Sequence, residues 1–239
     1  RDHSHDAPLT ERFFETVAHV FGNRAYVRLL IVYACNLPGI TFVQTILVYY
    51  FKYLYRNEEM TTVAMICLLV TAMVCIPISV LVAKKTGKKR LYQIALGVIS
   101  LGCMAIFLFG HVFGMTYTLI VMVVAGVGIG FAYVPPFSML PDVIEVEAVR
   151  TGRRKEGAYY GMWTFVSKLG IALAPALVGI ILSLSGFRPD EAQSAATLFA
   201  IRILIGPVPV AVLVAGIVII DRYPLDEKTY EKILAEGNR

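Results

Sequence analysis

The chain has 239 residues, of which 57% are hydrophobic and only 16% are charged, and its mean hydropathy is +0.69. Soluble domains carry roughly 25% charged residues, so this composition excludes an ordinary soluble protein. The net charge of +5 does not indicate nucleic-acid binding. Most basic residues lie beside apolar segments, where anionic headgroups attract them. We therefore expect membrane lipids, and no nucleic acid, among its partners.

Six apolar segments follow one another along the chain, each long enough for the about 20 residues that a helix needs to cross the hydrocarbon. Because lipid tolerates no unpaired backbone, we predict six transmembrane helices. They cover residues 26–53, 60–83, 91–109, 115–135, 158–184 and 201–220. The predicted fold is an all-α membrane protein, with a linker over 1–25, a bundle over 26–220 and a tail over 221–239.

Prolines predict where these helices are irregular. Pro135-Pro136 removes two backbone donors and should end or break the fourth helix. Pro38-Gly39 predicts a kink or an unwound turn in the first helix, and Pro207 and Pro209 predict irregularity in the sixth. In the fourth helix, Gly126 and Gly130 form a G-x-x-x-G motif, which is typical of close helix packing.

The basic residues predict the orientation, since lysine and arginine accumulate on the cytoplasmic side. Most of the 22 lie in the linker, the tail and the connections after the second and fourth helices, which places both termini in the cytoplasm and the bundle in the inner membrane. Those predicted outside are Lys52, Arg56, Arg188 and Arg202. The linker has apolar residues at helical spacing, which predicts a surface helix, and the start at Arg1 rather than Met predicts a fragment.

Metal and catalytic sites are not indicated. The four cysteines fall inside predicted helices without the paired spacings of zinc sites, and we interpret them as packing residues. The four histidines are scattered near membrane ends, which disfavours a membrane enzyme. We therefore expect no metal or cofactor. A channel or scaffold remains as an alternative, although it leaves the next feature unexplained.

Lys168 is a charge buried in a predicted span, about ten residues into the fifth helix. A lysine at the centre of a transmembrane helix costs about 2.5 to 3.5 kcal/mol on insertion scales. Snorkelling would require the side chain to climb nearly two turns. The alternative is a lysine that faces a water-filled cavity and binds a carboxylate or a substrate anion or hydroxyl.

Neighbouring residues support a cavity. Gly161, Thr164, Ala172 and Pro175 share the helix face of Lys168, and such a small or polar stripe indicates either a cavity wall or a close helix contact. The candidate substrate contacts are Lys168, Thr164, Tyr133, Asn36, Gln44 and Tyr160. The two amides could equally form hydrogen bonds between helices, and Tyr133 could be an interfacial aromatic.

Four stretches carry family motifs. Residues 135–145 have the sequence PPFSMLPDVIE, residues 151–161 have TGRRKEGAYYG, and a glycine-plus-basic hairpin, GKKR, occupies residues 87–90. The tail begins with YPLD at residues 223–226. Together they resemble the glycoside-pentoside-hexuronide:cation symporter family of the major facilitator superfamily, from about residue 10 to the end.

The resemblance implies that the six helices are helices seven to twelve of the family fold, its C-terminal half. In the family, the places of Lys168 and Tyr133 face the sugar cavity. It also implies that the two six-helix halves rock about a midplane site, with sodium or proton entry driving the solute. The principal cation carboxylates belong to the N-terminal half, which is an expected partner and lies outside this chain.

The substrate is left between two classes. Residues 138–144 also resemble the sodium-dependent lysophosphatidylcholine symporters, in which a lysine at the matching place meets a lipid phosphate. Residues 151–154 and 157–160 are more similar to prokaryotic sugar transporters, which favours a glycoside or related sugar. As gating residues that pair with the other half we predict Asp142, Glu145, Arg153 and Arg154, with ordinary solvated charges as the alternative.

Overall fold

The computed structural model describes residues 18–152 and 155–237, and every regular element in those ranges is helical. The all-α prediction is therefore confirmed. The surface helix predicted for the linker falls mostly on residues 1–17, and Arg153 and Arg154 occupy the gap, so these predictions lie outside the described residues. Residues 18–22 form a helical turn just before the first long helix.

Eight further helices follow in chain order, and two of them are extended by π-helical segments. The helices are α1 (Arg24–Tyr49), α2 (Glu59–Thr86), α3 (Lys88–Ala105), α4 (His111–Thr151), α5 (Glu156–Leu184), α6 (Ala195–Ile205), α7 (Pro207–Asp221) and α8 (Glu227–Gly237). The π-helical segments are Tyr50–Leu54 after α1 and Ile106–Gly110 after α3. The end at which α1, α3 and α5 begin is called the basic end below, and the opposite end the far end.

Five stretches are long and apolar enough to cross a membrane, and one of them, Lys88–Thr151, has 64 residues. A straight helix of that length would extend about 96 Å, three times the hydrocarbon thickness. The stretch instead reverses at Gly114, whose φ of 75° lies where glycine is favoured. Beyond the turn, Gly128 packs against Ile99 and Ala125 lies beside Gly102, so α3 and α4 are antiparallel. The described ranges therefore cross six times, as predicted.

The order of packing leaves two helices at open edges. Helix α4 lies between α2 and α3, α7 packs on both α3 and α1, and α5 packs mainly on α1. In the most apolar stretch of each helix, 44% of the α1 residues are buried, but only 22% of those of α2 and 17% of those of α5. The bundle therefore presents much of α2 and α5 outward.

Glycines allow the closest helix approaches. A Cβ at Gly126 would lie 2.6 Å from the Leu68 carbonyl oxygen, and one at Gly130 would lie 2.5 Å from that of Ala72. The predicted G-x-x-x-G packing motif is confirmed, and its partner is α2. Gly128 lies on another side of α4, where a Cβ would lie 3.1 Å from the Ala95 carbonyl oxygen of α3.

One expectation about prolines is wrong. Helix α4 continues through Pro135 and Pro136 to Thr151, and its only non-helical backbone is at Gly114. Packing accounts for this, since both prolines are buried among neighbouring helices and tertiary contacts outweigh the lost donors. Helix α1 is continuous through Pro38 and Gly39, which excludes an unwound turn there, and a kink stays a prediction.

The sixth crossing is irregular, as its prolines predict. It consists of α6 and α7, which are separated by Gly206, with Pro207 in the first turn of α7. Proline is tolerated there because the first-turn donors of a helix have no intrahelical partner. Two cysteines, Cys75 and Cys103, are buried as free thiols, which agrees with a packing role.

Candidate functional site

The exposed side of α5 carries three of the predicted site residues. Tyr160, Thr164 and Lys168 follow at intervals of four residues, so they lie on one side of the helix, and all three are exposed. Gly161 is also exposed and has no atom within 4 Å of the position that a Cβ would take. Among the described residues, this stripe is therefore an open surface rather than a helix contact.

Lys168 lies about 18 Å along the axis from Glu156, where α5 begins. No described residue forms an ion pair or a hydrogen bond with its ammonium group. The residues on the opposite side of α5 are buried against the bundle, Trp163 and Gly170 among them. The lysine therefore points away from the bundle at the middle of a span, and the described residues leave all of its donors available.

Aromatic rings from three helices meet where α1, α4 and α5 pack together. Tyr133 and Phe137 of α4 have their ring centroids 5.2 Å apart, and the side chains expose 56% and 47% of their surface. Behind them, Tyr33 of α1 stacks on Trp163 of α5 at 3.9 Å with an interplanar angle of 14°. Phe137 meets both buried rings edge-on, at 6.0 Å from Tyr33 and 6.4 Å from Trp163.

This aromatic cluster, Tyr33, Tyr133, Phe137 and Trp163, connects α4 to the surface of α5. Through Phe137 and Trp163, the ring contacts link the predicted Tyr133 to the helix that carries the predicted Tyr160, Thr164 and Lys168. Apolar rings with a few polar groups are typical of small-molecule sites. Of the four rings, only Tyr133 was predicted from the sequence, although the spacing of Tyr133 and Phe137 by four residues places them on one side of a helix.

Asn36 is placed differently from the other candidates. Its side chain is 3% exposed, and its Nδ2 donates to the Tyr92 hydroxyl of α3 at 3.1 Å. Asn36 therefore lies inside the bundle, where this hydrogen bond to a neighbouring helix stabilises the buried amide. The structure therefore does not bring Asn36 to the open surface. It shows instead the alternative role, a hydrogen bond between two helices. Gln44 is half-buried further along α1 and stays a candidate.

The predicted gating residue Asp142 already has a partner in this chain. Lys88 Nζ lies 2.5 Å from Asp142 Oδ2, and both side chains are mostly buried. The same ammonium lies 3.4 Å from the Ser138 carbonyl oxygen. The hairpin between α2 and α3 is thereby bound to α4.

Two further carboxylates of α4 bind other segments at the same end. The Tyr230 hydroxyl of α8 donates to Glu145 Oε2 at 2.5 Å, and this hydrogen bond raises the pKa of Tyr230 to about 12. Glu147 accepts a hydrogen bond from Asn23 Nδ2 at 3.0 Å and lies 3.1 Å from His19 Nε2. The prediction that Asp142 and Glu145 pair with the second half of the transporter is therefore revised for this conformation. Asp142 and Glu145 pair within the chain, and a change of partner stays a prediction.

Two clefts of about 590 and 640 Å³ lie at the basic end, on either side of Pro224 and Leu225. Neither is lined by Lys168 or Thr164. The surface around Lys168 is open rather than concave, as expected of one wall of a larger cavity. In the described part of the chain, no group of three metal-binding side chains lies close enough to hold an ion.

Comparison with known proteins decides the family. A family model described as MFS/sugar transport protein matches residues 3–227. The chain belongs to this family. The motif resemblance to a major facilitator symporter family is confirmed, and the six crossings form part of the major facilitator fold.

Three relatives illustrate the range of this sugar-transport family. The chain is 31% identical over 223 residues to an uncharacterized symporter of Synechocystis sp., covering 89% of this chain and 40% of that protein. It is 30% identical over 226 residues to a putative sulfoquinovose importer of Escherichia coli, covering 92% and 47%. It is 24% identical over 215 residues to a sodium-dependent lysophosphatidylcholine symporter of Danio rerio, covering 89% and 40%. The chain thus spans about half the length of the curated relatives it matches.

Proposed function

We propose that this chain forms one six-helix half of a cation-coupled symporter, and that the intact transporter carries a glycoside or related sugar by alternating access. The observation that supports this most is Lys168, whose ammonium has no partner among the described residues and lies on an open surface at the middle of a membrane span. An N-terminal half of the same transporter would cover that surface and enclose the cavity. Sodium or protons would supply the driving force.

The cost of burying Lys168 supports a substrate with an acidic group. A lysine at the centre of a span costs about 2.5 to 3.5 kcal/mol, which a bound anion would offset. Sulfoquinovose carries a sulfonate and lysophosphatidylcholine a phosphate, so two of the relatives are named for substrates of this kind. Thr164 would add a hydroxyl, and the exposed rings of Tyr133 and Phe137 would contact the apolar face of a sugar ring.

A lysophospholipid is the second candidate. Phe165 and Leu169 flank the face of Lys168 and expose 62% and 48% of their surface. An acyl chain could lie along such apolar side chains while the phosphate bound the ammonium. The open edge of α5 would then be the route by which a lipid enters from the bilayer.

Uptake into proteoliposomes tests the function. The intact transporter is expected to accumulate labelled sulfoquinovose against its gradient when sodium or a proton gradient is imposed, and to leave lysophosphatidylcholine unmoved. Lys168→Met should insert normally and lose accumulation, because it removes the charge together with its burial cost. Lys228→Met, in the exposed tail, is the matched control. If the Lys168→Met protein accumulates solute at the wild-type rate, the site assignment is wrong.

Accumulation of lysophosphatidylcholine instead of the sugar would favour the second candidate. Equal movement of solute with and without an ion gradient would indicate a channel. The proposed activity needs no covalent step, and we propose neither an enzyme nor a nucleic-acid-binding role.

The proposed location is the inner membrane, with both termini in the cytoplasm. The support is the concentration of basic residues at the basic end. In intact cells, an impermeant thiol reagent should modify a cysteine introduced at Asn57 and leave one at Thr86 unmodified. The reverse pattern would overturn the orientation.

A further inference from the structure

Helices α1 and α5 meet along a seam of three contacts. Near the basic end, the Tyr26 hydroxyl donates to the Tyr159 carbonyl oxygen at 2.7 Å. One level further on, Tyr33 stacks on Trp163. The third contact joins Pro38 to Gly170. Because the residue numbers rise together on both helices, α1 and α5 run parallel.

The third contact leaves no room for a side chain at residue 170. A Cβ at Gly170 would lie 2.9 Å from Pro38 Cγ and 3.3 Å from Pro38 Cδ, whereas ordinary contacts are 3.4–4 Å. A proline ring is fixed to its own backbone and cannot rotate away. The glycine therefore allows α5 to approach α1 more closely than any other residue would.

This contact strongly affects the position of Lys168. The lysine precedes Gly170 by two residues, so it projects from nearly the opposite side of the helix. Helix α5 packs mainly on α1 and is only 17% buried within its apolar window. With no described partner of its own, the ammonium is held in place only by the position of the α5 backbone.

We propose that Gly170 is a positioning residue, which by its contact with Pro38 sets how far Lys168 extends into the transport cavity. The transport consequence rests on the proposed function, in which Lys168 binds the substrate. The geometric consequence does not, because it concerns only where residue 168 lies. The two are separated by two different measurements.

The geometric measurement uses a cysteine at position 168. In the intact transporter, with the native cysteines replaced, Lys168→Cys is labelled by a water-soluble thiol reagent and the rate is recorded. Adding Gly170→Ala should change that rate severalfold, because α5 must move away from α1. Adding Pro38→Ala as well should restore the rate, since the two ring atoms that the new methyl meets are then gone.

A glycine of the same helix is the matched control. Gly179 has no atom within 4 Å of the position that a Cβ would take, so Gly179→Ala should leave the rate unchanged. An unchanged rate with Gly170→Ala would overturn the proposal, as would a changed rate that Pro38→Ala does not restore. If Gly170→Ala fails to insert, Pro38→Ala alone decides. Pro38→Ala opens a gap at the seam and should change the labelling rate at position 168 in the direction opposite to that expected for Gly170→Ala. An unchanged labelling rate would overturn the proposal.

The transport measurement uses sulfoquinovose uptake with Lys168 intact. Gly170→Ala is expected to raise KM by about tenfold, since misplacing a binding group by about 1 Å can cost up to 100-fold. The double variant Gly170→Ala/Pro38→Ala should return KM towards the wild-type value. A destabilised protein would instead lose transport rate in proportion to the folded fraction, at unchanged KM. If the wild type does not move the sugar, the proposed function fails while the labelling result stands.

Discussion

Helices α4 and α5 both cross the membrane and both use glycines, but they are supported in opposite ways. Helix α4 is packed on two sides, with Gly126 and Gly130 against α2 on one side and Gly128 against α3 on another. Helix α5 is bound along a single stripe and exposes the remainder. The difference indicates that α4 organises the bundle, whereas α5 presents chemistry to a cavity.

The same difference explains where a charge is found. A lysine on α4 at the level of Gly128 would be driven into α3, where the neighbouring atoms are apolar or are carbonyl groups with helix partners. A lysine on the outer side of α5 displaces nothing. The least supported helix is therefore the one that can carry Lys168, and its placement depends on few contacts.

The largest expected effect is on stability, and it comes from making the same glycine-to-valine substitution in α4 and in α5. Gly130→Val should destabilise the bundle by about 3 kcal/mol or more, because its Cβ would meet the Ala72 carbonyl oxygen. That oxygen belongs to the backbone of α2, so it cannot rotate away as a flexible side chain could. Gly179→Val in α5 projects into open space and should change stability by less than about 0.5 kcal/mol. The midpoint of thermal unfolding in detergent measures both. Equal losses in the two variants would contradict the comparison.

A smaller effect is expected where α4 binds the α2–α3 hairpin. Lys88→Met leaves the Asp142 carboxylate mostly buried and unpaired, which should cost about 1–2 kcal/mol, between the values for exposed and buried pairs. Replacing Asp142 with Leu in the same protein should recover part of the loss. Lys85→Met, at an exposed lysine in the last turn of α2, is the control. Identical unfolding midpoints for Lys88→Met and Lys85→Met would show that the ion pair is unimportant.

The smallest effect tests whether Asn36 belongs to the bundle or to the site. Tyr92→Phe removes the hydroxyl that accepts from Asn36, and such interhelical hydrogen bonds in membranes contribute about 0.6 kcal/mol on average. We expect a slightly lower unfolding midpoint and an unchanged KM for sulfoquinovose. An altered KM at constant stability would return Asn36 to the substrate site.

The spans could be predicted from sequence because the length and apolarity of a crossing are fixed by the bilayer. Interruptions by proline were harder to predict. Pro135 and Pro136 lie in a helix packed on several sides, and the free energy of that packing is not visible in local sequence. Gly206 breaks the sixth crossing, by contrast, where two prolines follow within three residues.

The site was partly predictable for a similar reason. Lys168 is conspicuous because charge is costly in hydrocarbon, and the helical repeat alone places Thr164 and Tyr160 beside it. Trp163 and Tyr33 come together only through the parallel packing of α1 and α5, which no local pattern specifies. Asp142 and Glu145 were recognised as charged, but their partners Lys88 and Tyr230 are distant in sequence.

The length of α4 has a mechanical consequence. From Met115 to Thr151 the helix extends about 54 Å, whereas the hydrocarbon is about 30 Å thick, so its last turns project beyond the basic end. The linker, the hairpin and α8 are all attached to that projection. A tilt of about 10° around the midplane would shift its tip sideways by about 7 Å. Helix α4 is thus a lever that converts a small rotation within the membrane into a shared displacement of three segments in water.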